Sequence, residues 1–474
     1  MISMQQSSRG IVLFGLMMGL FLAAIEITVV STAMPKASVE LGGTDLYSWI
    51  FAAYILAVTV AGPLWGRLSD MYGRRPIYLI GVSVFLAGSM LSGVAQNMLQ
   101  LVVFRVIQGV GGGSLLVLTF TIVGEIYRLR ERSRVQGYLS SVWALASVVG
   151  PPAGGFIADN IDWRWVFYIN IPFGVLALIV VARWLKDPPR KSGGGLDLWG
   201  TALFALSTSL LMVFLTEYSS LGSVGFVLPV VAALGLALFF RIEKSAKAPL
   251  IPLHLLRERV VSVAMAGNLF YGIAFFGMLA YTPILLQWML GLQASDAGIV
   301  LTPSVVGWVA SSVVATRLLP RVPLKPIVLL SALSMSTGLT VLAFVHTSAA
   351  VALSGLLIGG GMGSVVSPLL VTVQTLVHPE SLGVATALLG FMRTLGGSLG
   401  VTLMWVPINA ALDAAGLETI TVLTEAQRSL LSTGFEYAFL IGLAAVLICF
   451  PIYLTLPRLD LAARDRERFS ISSS

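Results

Sequence analysis

The chain is poor in charge, in cysteine and in histidine. Asp, Glu, Lys and Arg make up 11% of its 474 residues, where a soluble domain carries roughly 25%, so a fully wetted surface is excluded. The single cysteine, Cys449, leaves no disulfide framework and no cysteine metal site. His254, His346 and His378 stand far apart between apolar stretches, so no metal site, cofactor or catalytic cluster is expected. No G-x-x-x-x-G-K-[ST] phosphate loop occurs, which removes nucleotide hydrolysis as a direct drive. The chain does not read as an enzyme.

What it has in excess is apolar sequence: 57% hydrophobic residues and a mean hydropathy of +0.92. About twenty apolar residues cross a hydrocarbon core. Such stretches lie near 11–33, 47–66, 76–95, 99–123, 135–158, 163–184, 197–217, 222–242, 260–289, 296–318, 326–345, 349–376, 382–407 and 433–456. Lipid cannot satisfy a bare backbone donor or acceptor, so each is predicted helical. The first stretch is too long for a secretory signal and ends in Met34-Pro35 without a small-residue cleavage pattern; it reads as the first span.

The net charge of +7 is a topology signal and not a nucleic-acid surface. With the N-terminus placed inside, 24 of the 29 Lys and Arg residues fall in cytoplasmic segments and 3, Lys36, Arg164 and Arg428, outside. The imbalance follows the positive-inside rule and puts both termini in the cytoplasm. Arg105 and Arg393 remain within spans. The short N-terminus points to a bacterial cytoplasmic membrane.

An internal repeat organises the spans. Arg67-Leu68 leads to Arg75-Pro76-Ile77, and 250 residues later Arg317-Leu318 leads to Lys325-Pro326-Ile327. The same offset carries Gly109, Gly111, Gly113 and Ser114 onto Gly359, Gly361, Gly363 and Ser364. The copies are separated by an even number of spans and enter the membrane in the same direction. The expected domains are an N-terminal six-helix bundle at 1–185, a linker with two additional transmembrane helices at 186–258, and a C-terminal six-helix bundle with a short cytoplasmic tail at 259–474. The linker opens with Asp187-Pro188-Pro189 and Ser192-Gly193-Gly194-Gly195, a flexible composition.

Four motifs carry chemistry. Gly66-Arg67-Leu68-Ser69-Asp70-Met71-Tyr72-Gly73-Arg74-Arg75-Pro76 fills the turn between spans two and three. Its glycines permit a tight turn, and Asp70 can pair with arginines or face a helix N-terminus; a basic topology anchor is the plainer reading. Arg105-Val106-Ile107-Gln108-Gly109 lies inside span four, where a guanidinium is costly unless paired, facing water or snorkelling outward. Gly150-Pro151-Pro152-Ala153-Gly154-Gly155 is expected to interrupt span five, since proline removes a backbone donor. Trp163-Arg164-Trp165 through Asn170-Ile171-Pro172 opens span six with interfacial aromatics.

Together these strings resemble the major facilitator superfamily, and in particular its fourteen-span drug:proton antiporter branch, the QacA/EmrB-like group. The turn is similar to the family's G-x-x-x-D-x-x-G-R-R loop, Arg105 and Gln108 match its R-x-x-Q-G motif, and the span-five string matches the G-P-x-x-G-G element of exporters. The resemblance implies an all-α membrane protein of the major facilitator fold, two parallel-repeat six-helix bundles plus two extra helices. It implies a conformational latch and kink formed by Gly66, Asp70, Gly73, Arg74, Arg75, Gly150, Pro151, Gly154 and Gly155. The second copy has Pro320 where the first has Asp70, so a latch would be asymmetric, and Pro152 doubles the span-five proline.

Glu26 is the acid deepest within an apolar span, where the branch usually has aspartate. At about 1.5 Å of rise per residue it lies roughly 13 Å below the outer face and Arg105 roughly 10 Å, so the two can pair, either as a proton-coupling site or as a structural ion pair. Tyr54, Gln108, Asn170, Asn268, Tyr271, Gln374 and Arg393 are candidate cavity residues, being polar or aromatic within the repeated spans. The resulting expectation is a monomeric multi-pass exporter working in a lipid bilayer. It would exchange protons for small lipophilic, cationic drugs by alternating access, as in multidrug efflux and antibiotic resistance. An endogenous amphiphile (lipid, glycolipid or siderophore) is the alternative cargo, and proton symport the alternative direction. Neither nucleic acid nor nucleotide is an expected partner.

Overall fold

The structure is a computed structural model that describes residues 6–42, 46–187, 198–221, 225–245, 249, 251, 253–292, 294–345, 347–415 and 424–457. The glycine-rich linker, His346 and the C-terminal arginines lie outside the described residues, as do the side chains of His254 and Pro151. Among the described residues the secondary structure is helical throughout.

The first compact unit comprises the described residues of 1–256 together with 374–391. It holds α1 (Gln6–Leu41), α2 (Tyr47–Tyr72), α3 (Arg74–Gly93), α4 (Met98–Ile126), α5 (Leu129–Asn160), α6 (Trp165–Tyr168), α7 (Asn170–Trp184), α8 (Leu198–Leu221), α9 (Val227–Glu243) and most of α10 (Leu253–Arg257). The second, 257–373 and 392–464, holds α11 (Arg259–Leu290), α12 (Ala294–Leu318), α13 (Leu324–Phe344), most of α14 (Ser348–Leu376) and of α15 (Leu382–Ala414), and α16 (Glu425–Leu454). The end of α14, the 3-10 turn Pro379–Ser381 and the first turns of α15 belong to the first unit.

Each of the fourteen apolar stretches is occupied by a helix, with α6 and α7 sharing one. Among the described residues eleven helices are long and apolar enough to cross a membrane. The apolar part of α8 is shorter, Trp199–Leu215, α9 has 17 residues, and α5 begins among charged residues.

Local sequence explains the element ends. Gly73 alone separates α2 from α3 at φ 104°, a backbone that side-chain-bearing residues rarely adopt. The Asn97 side chain accepts from Gln100 N at 2.9 Å and starts α4. Pro172 cannot donate to the carbonyl one turn back, and the helix breaks at Ile169 between α6 and α7. The interruption expected in span five is absent: α5 runs unbroken through 150–155. At this level α1 packs closely on α5: Thr28 seats against Gly150 and donates its hydroxyl to Ala146 O at 3.1 Å.

In the first unit α4 packs against α2 and α3, and α1 against α5 and α7. In the second, α16 packs on α11 and α13. The 250-residue offset recurs in three dimensions. Helices α4 and α14 run 98–126 and 348–376, and α3 and α13 begin at 74 and 324. Gly109 and Gly113 have no room for a Cβ against the carbonyls of Tyr54 and Val58; Gly359 and Gly363 meet those of Ser304 and Trp308. Gly111 abuts Phe85, and Gly361 abuts Met335. Small residues let helix backbones approach this closely in lipid.

Candidate functional site

Five residues singled out in the sequence, Glu26, Tyr54, Arg105, Gln108 and Asn170, come together in the interior of the first unit. Glu26 and Arg105 are each 1% exposed and form a direct ion pair. Arg105 and Gln108, three residues apart, share one face of α4. The Arg105 guanidinium also donates to Gln108 Oε1 at 2.7 Å and to the Ile50 carbonyl at 3.1 Å. It lies 4.2 Å above the Tyr54 ring centroid and 5.9 Å from that of Phe167. A snorkelling Arg105 is therefore ruled out. Removing either member of a buried pair strands the other's charge, so the constellation acts as one unit.

The second carboxylate oxygen of Glu26 is held by Asn170 Nδ2 at 2.6 Å. Asn170 is the first residue of α7, directly after the break caused by Pro172. Ser89 joins the network: its Oγ donates to Phe167 O at 2.8 Å and accepts from Asn170 Nδ2 at 2.9 Å and Gln108 Nε2 at 3.2 Å. Ser89 was not legible in the sequence. It reaches Gln108 because Gly88, lacking a Cβ, lets α3 touch the backbone of α4 at Gln108.

A second polar cluster occupies the turn between α2 and α3. Arg74, fully buried, pairs with Asp70 at 2.6 Å and Glu125 at 2.7 Å. The Asp70 carboxylate accepts from the backbone N–H of Gly383 at 2.9 Å and Val384 at 3.0 Å, at the start of α15. There it meets the positive end of a helix dipole. Gly66 permits the contact, since a Cβ on it would lie 2.6 Å from Gly383 O. The N-terminus of α3 is taken by Asp187, which accepts from Arg74 N at 3.0 Å and Arg75 N at 2.9 Å. The Arg75 guanidinium donates to Ala182 O. Sequence reasoning missed both extra acids. Glu125 gave a faint signal as an acid at the end of an apolar span; Asp187 was hidden in what read as linker.

The other candidates lie apart from Glu26. Gln374, in the last turn of α14, donates to Phe120 O at 3.1 Å and Thr386 Oγ1 at 3.2 Å. Asn268 donates to Ala264 O at 2.9 Å within α11, and Tyr271 lies with Tyr453 at a ring distance of 6.2 Å. Arg393 is half-buried on α15, and no acid pairs with it among the described residues. Gly390, on the same helix face, borders open space. Gly154 is buried in α5, and a side chain on Gly155 would meet nothing within 4 Å. No group of three or more metal-binding side chains is found among the described residues.

Outside the spans, Glu40 at the end of α1 accepts from Arg164 at 2.7 Å and Trp163 at 2.8 Å. These hydrogen bonds hold its carboxyl below the ordinary carboxylate range. Lys36 donates to Ala158 O at 2.6 Å beside it. On the opposite side, burial raises the Tyr127 phenol to about 12.

The sequence model described as "Major Facilitator Superfamily" matches residues 16–401. The chain is 33% identical over 415 residues to the multidrug transporter protein MdtP of Bacillus subtilis (strain 168), covering 86% of this chain and 76% of that one. It is 33% identical over 409 residues to multidrug resistance protein 3 of the same organism, covering 84% and 79%. Among solved structures, the human organic anion transporter MFSD10 superposes with a TM-score of 0.66 over 95% of this chain and 100% of that one. At 16% identity that likeness speaks for the fold alone.

Proposed function

Because the chain belongs to the Major Facilitator Superfamily, and is thus a multi-pass membrane transporter and not an enzyme, we propose that it is a proton-coupled exporter of lipophilic compounds. The observation that carries this is Glu26. It is a carboxylate at the interior of α1, fully enclosed and held only by side chains of α4 and α7. Such a group releases or takes a proton only when the surrounding helices shift and water reaches it, which ties protonation to conformation. The relatives named as multidrug proteins support efflux as the direction and drugs as the cargo. In this reading α5, α8 and α9 cross as well, so fourteen spans leave both termini on one side, and the excess of Lys and Arg makes that side the cytoplasm of a bacterial cell. The domains are then 1–185, 186–258 and 259–474.

In this reading the Asp70 bond to the start of α15 is the latch that closes the cytoplasmic side, and the transporter works as a monomer. The deciding experiment uses proteoliposomes with an imposed pH gradient. Drug-dependent proton movement is followed with ethidium as a lipophilic cation, beside neutral drugs and lipids. Glu26→Gln should abolish pH-driven export while leaving downhill exchange; unchanged antiport at the original ratio would make Glu26 structural. The span count is tested with single cysteines in a Cys449→Ala background. Positions Ser192 and Lys247 should label only from the cytoplasm, Thr44 and Thr421 only from outside; all four lie outside the described residues.

One observation favours the second reading, export of an amphiphile. Glu26 is engaged by Arg105 and Asn170 and is not free to receive a cation, while Arg393 stands half-buried with no acid paired to it among the described residues. A guanidinium so placed suits a cargo with an acidic headgroup. Preferential transport of an anionic lipid probe over ethidium, lost in Arg393→Gln, would select this reading.

A further inference from the structure

The two ends of the Asn170 side chain are treated unequally. Nδ2 is fully used, on Glu26 at 2.6 Å and Ser89 at 2.9 Å. Oδ1 is buried without a hydrogen-bond partner among the described residues, in a residue 1% exposed. Leaving a buried acceptor unsatisfied is unfavourable. The orientation is the one an ionised Glu26 demands, and Ser89 Oγ, its proton committed to Phe167 O, agrees with it: a carboxylate accepts and cannot donate, so the amide turns its NH2 inward and leaves its oxygen bare.

We propose that Asn170 reads the protonation state of Glu26 by turning over its amide. The inference rests on the reading of Glu26 as the coupling acid. When Glu26 binds one proton on the oxygen facing Asn170, that oxygen becomes an O–H donor. A half-turn of the amide brings Oδ1 to accept from it, so the bare acceptor is satisfied. No covalent bond other than the new O–H is made. The same turn withdraws Nδ2 from Ser89, which keeps its bonds to Phe167 O and Gln108. The signal is therefore delivered to α3 and to the break between α6 and α7, where Asn170 is the first residue of the lower helix. The charged and titratable groups facing Glu26 among the described residues are Arg105 from α4 and Tyr54 from α2. Ser89 from α3, Phe167 from α6 and Asn170 from α7 complete the wall, and α5 meets α1 beside it through Ala146 and Gly150.

The test needs no cargo. The full-length protein in lipid nanodiscs is titrated with acid while difference infrared spectra follow carboxyl and side-chain amide bands. Asparagine is isotopically labelled, and Glu26→Gln and Asn170→Leu identify the two bands. The expected result is an Asn170 amide band that shifts with the same midpoint as the Glu26 carboxyl. In Asn170→Leu, which removes a donor to the carboxylate, that midpoint should rise by about one pH unit, tenfold in proton affinity. In Asn170→Asp two carboxyls sit side by side, and the titration should split into two steps. An amide band that stays fixed across the Glu26 titration overturns the proposal, as does an unmoved midpoint in Asn170→Leu. Should Asn170→Leu not fold, a single unsplit step in Asn170→Asp overturns it equally. If Glu26→Gln leaves the wild-type titration in place, the coupling reading itself falls and takes this inference with it, an outcome that variant alone distinguishes.

Discussion

Where α2 crosses α4, Gly109 and Gly113 sit against the carbonyls of Tyr54 and Val58; 250 residues on, Gly359 and Gly363 sit against those of Ser304 and Trp308. Beside the first crossing stand Arg105, Gln108, Tyr54 and Ser89, joined by hydrogen bonds and a cation–ring contact. The same places in the second copy hold Gly355, Ile358, Ser304 and Leu339. Packing is thus duplicated and chemistry is not. Any two helices that approach closely in lipid need small residues at the contact, so that constraint survives in both copies. A buried ion pair is costly to assemble, and the first copy alone carries one at this crossing.

The turns after α2 and after α12 differ as well. Asp70 serves the N-terminus of α15 through Gly383 and Val384. The corresponding helix of the first copy, α5, carries its own acid: Glu131 accepts from Arg128 N at 2.9 Å. A helix that caps itself needs no carboxylate from elsewhere.

The comparison is broken most severely at its chemical end. Arg105→Ala leaves Glu26 enclosed without its counter-charge and should cost about 3–5 kcal/mol, measured as denaturant unfolding in detergent, with transport lost. Gly355→Ala, the matching change in the second copy, should leave both nearly unchanged. Glu26→Asp should retain partial export, since a carboxylate survives one methylene shorter. Equal losses at positions 105 and 355 would place the difference between copies in packing instead.

The shared register is tested by adding one methyl group to each copy. Gly109→Ala and Gly359→Ala should each destabilise by about 1–3 kcal/mol through overpacking against a backbone carbonyl, in the same unfolding assay. If only one substitution is felt, the register is common but the constraint is not.

Breaking the Asp70 contact to the start of α15 should give a smaller, kinetic effect. Asp70→Asn should preserve expression and substrate binding, slow transport and shift the population toward inward-facing states. Two charge-assisted hydrogen bonds weakened by about 1–2 kcal/mol in sum correspond to about a tenfold shift, read from the accessibility of cysteines on the two sides. Pro320→Asp should not produce the mirror-image effect, because α5 already has Glu131.

The smallest effect belongs to the outer rim. Hydrogen bonds lower the folded-state value of Glu40, so its contribution is fully present above the unfolded value of about 4.3 and is lost as pH falls through the lower folded one. The group is exposed, and the contribution should stay below about 1 kcal/mol. Glu40→Gln should flatten the acid limb of the melting temperature against pH without altering the plateau near neutrality.

Composition, the fourteen apolar stretches and the offset of 250 determined by themselves that the chain is helical, membrane-spanning and built twice. Each rests on a constraint that acts locally: a lipid-facing backbone must close its own hydrogen bonds, and a close helix crossing must be small. The motif strings also named Asp70, Arg105 and Glu26, because charge inside an apolar run is conspicuous. The partners of those charges were decided only by tertiary structure. Ser89 looks like any small residue of a membrane helix until Gly88 brings α3 onto Gln108. Asp187 reads as linker until it caps α3, and the break before Asn170 gains meaning only when Nδ2 is found on Glu26. These hydrogen bonds join residues 19 to 314 positions apart, and no periodicity along the chain encodes a meeting that only folding brings about.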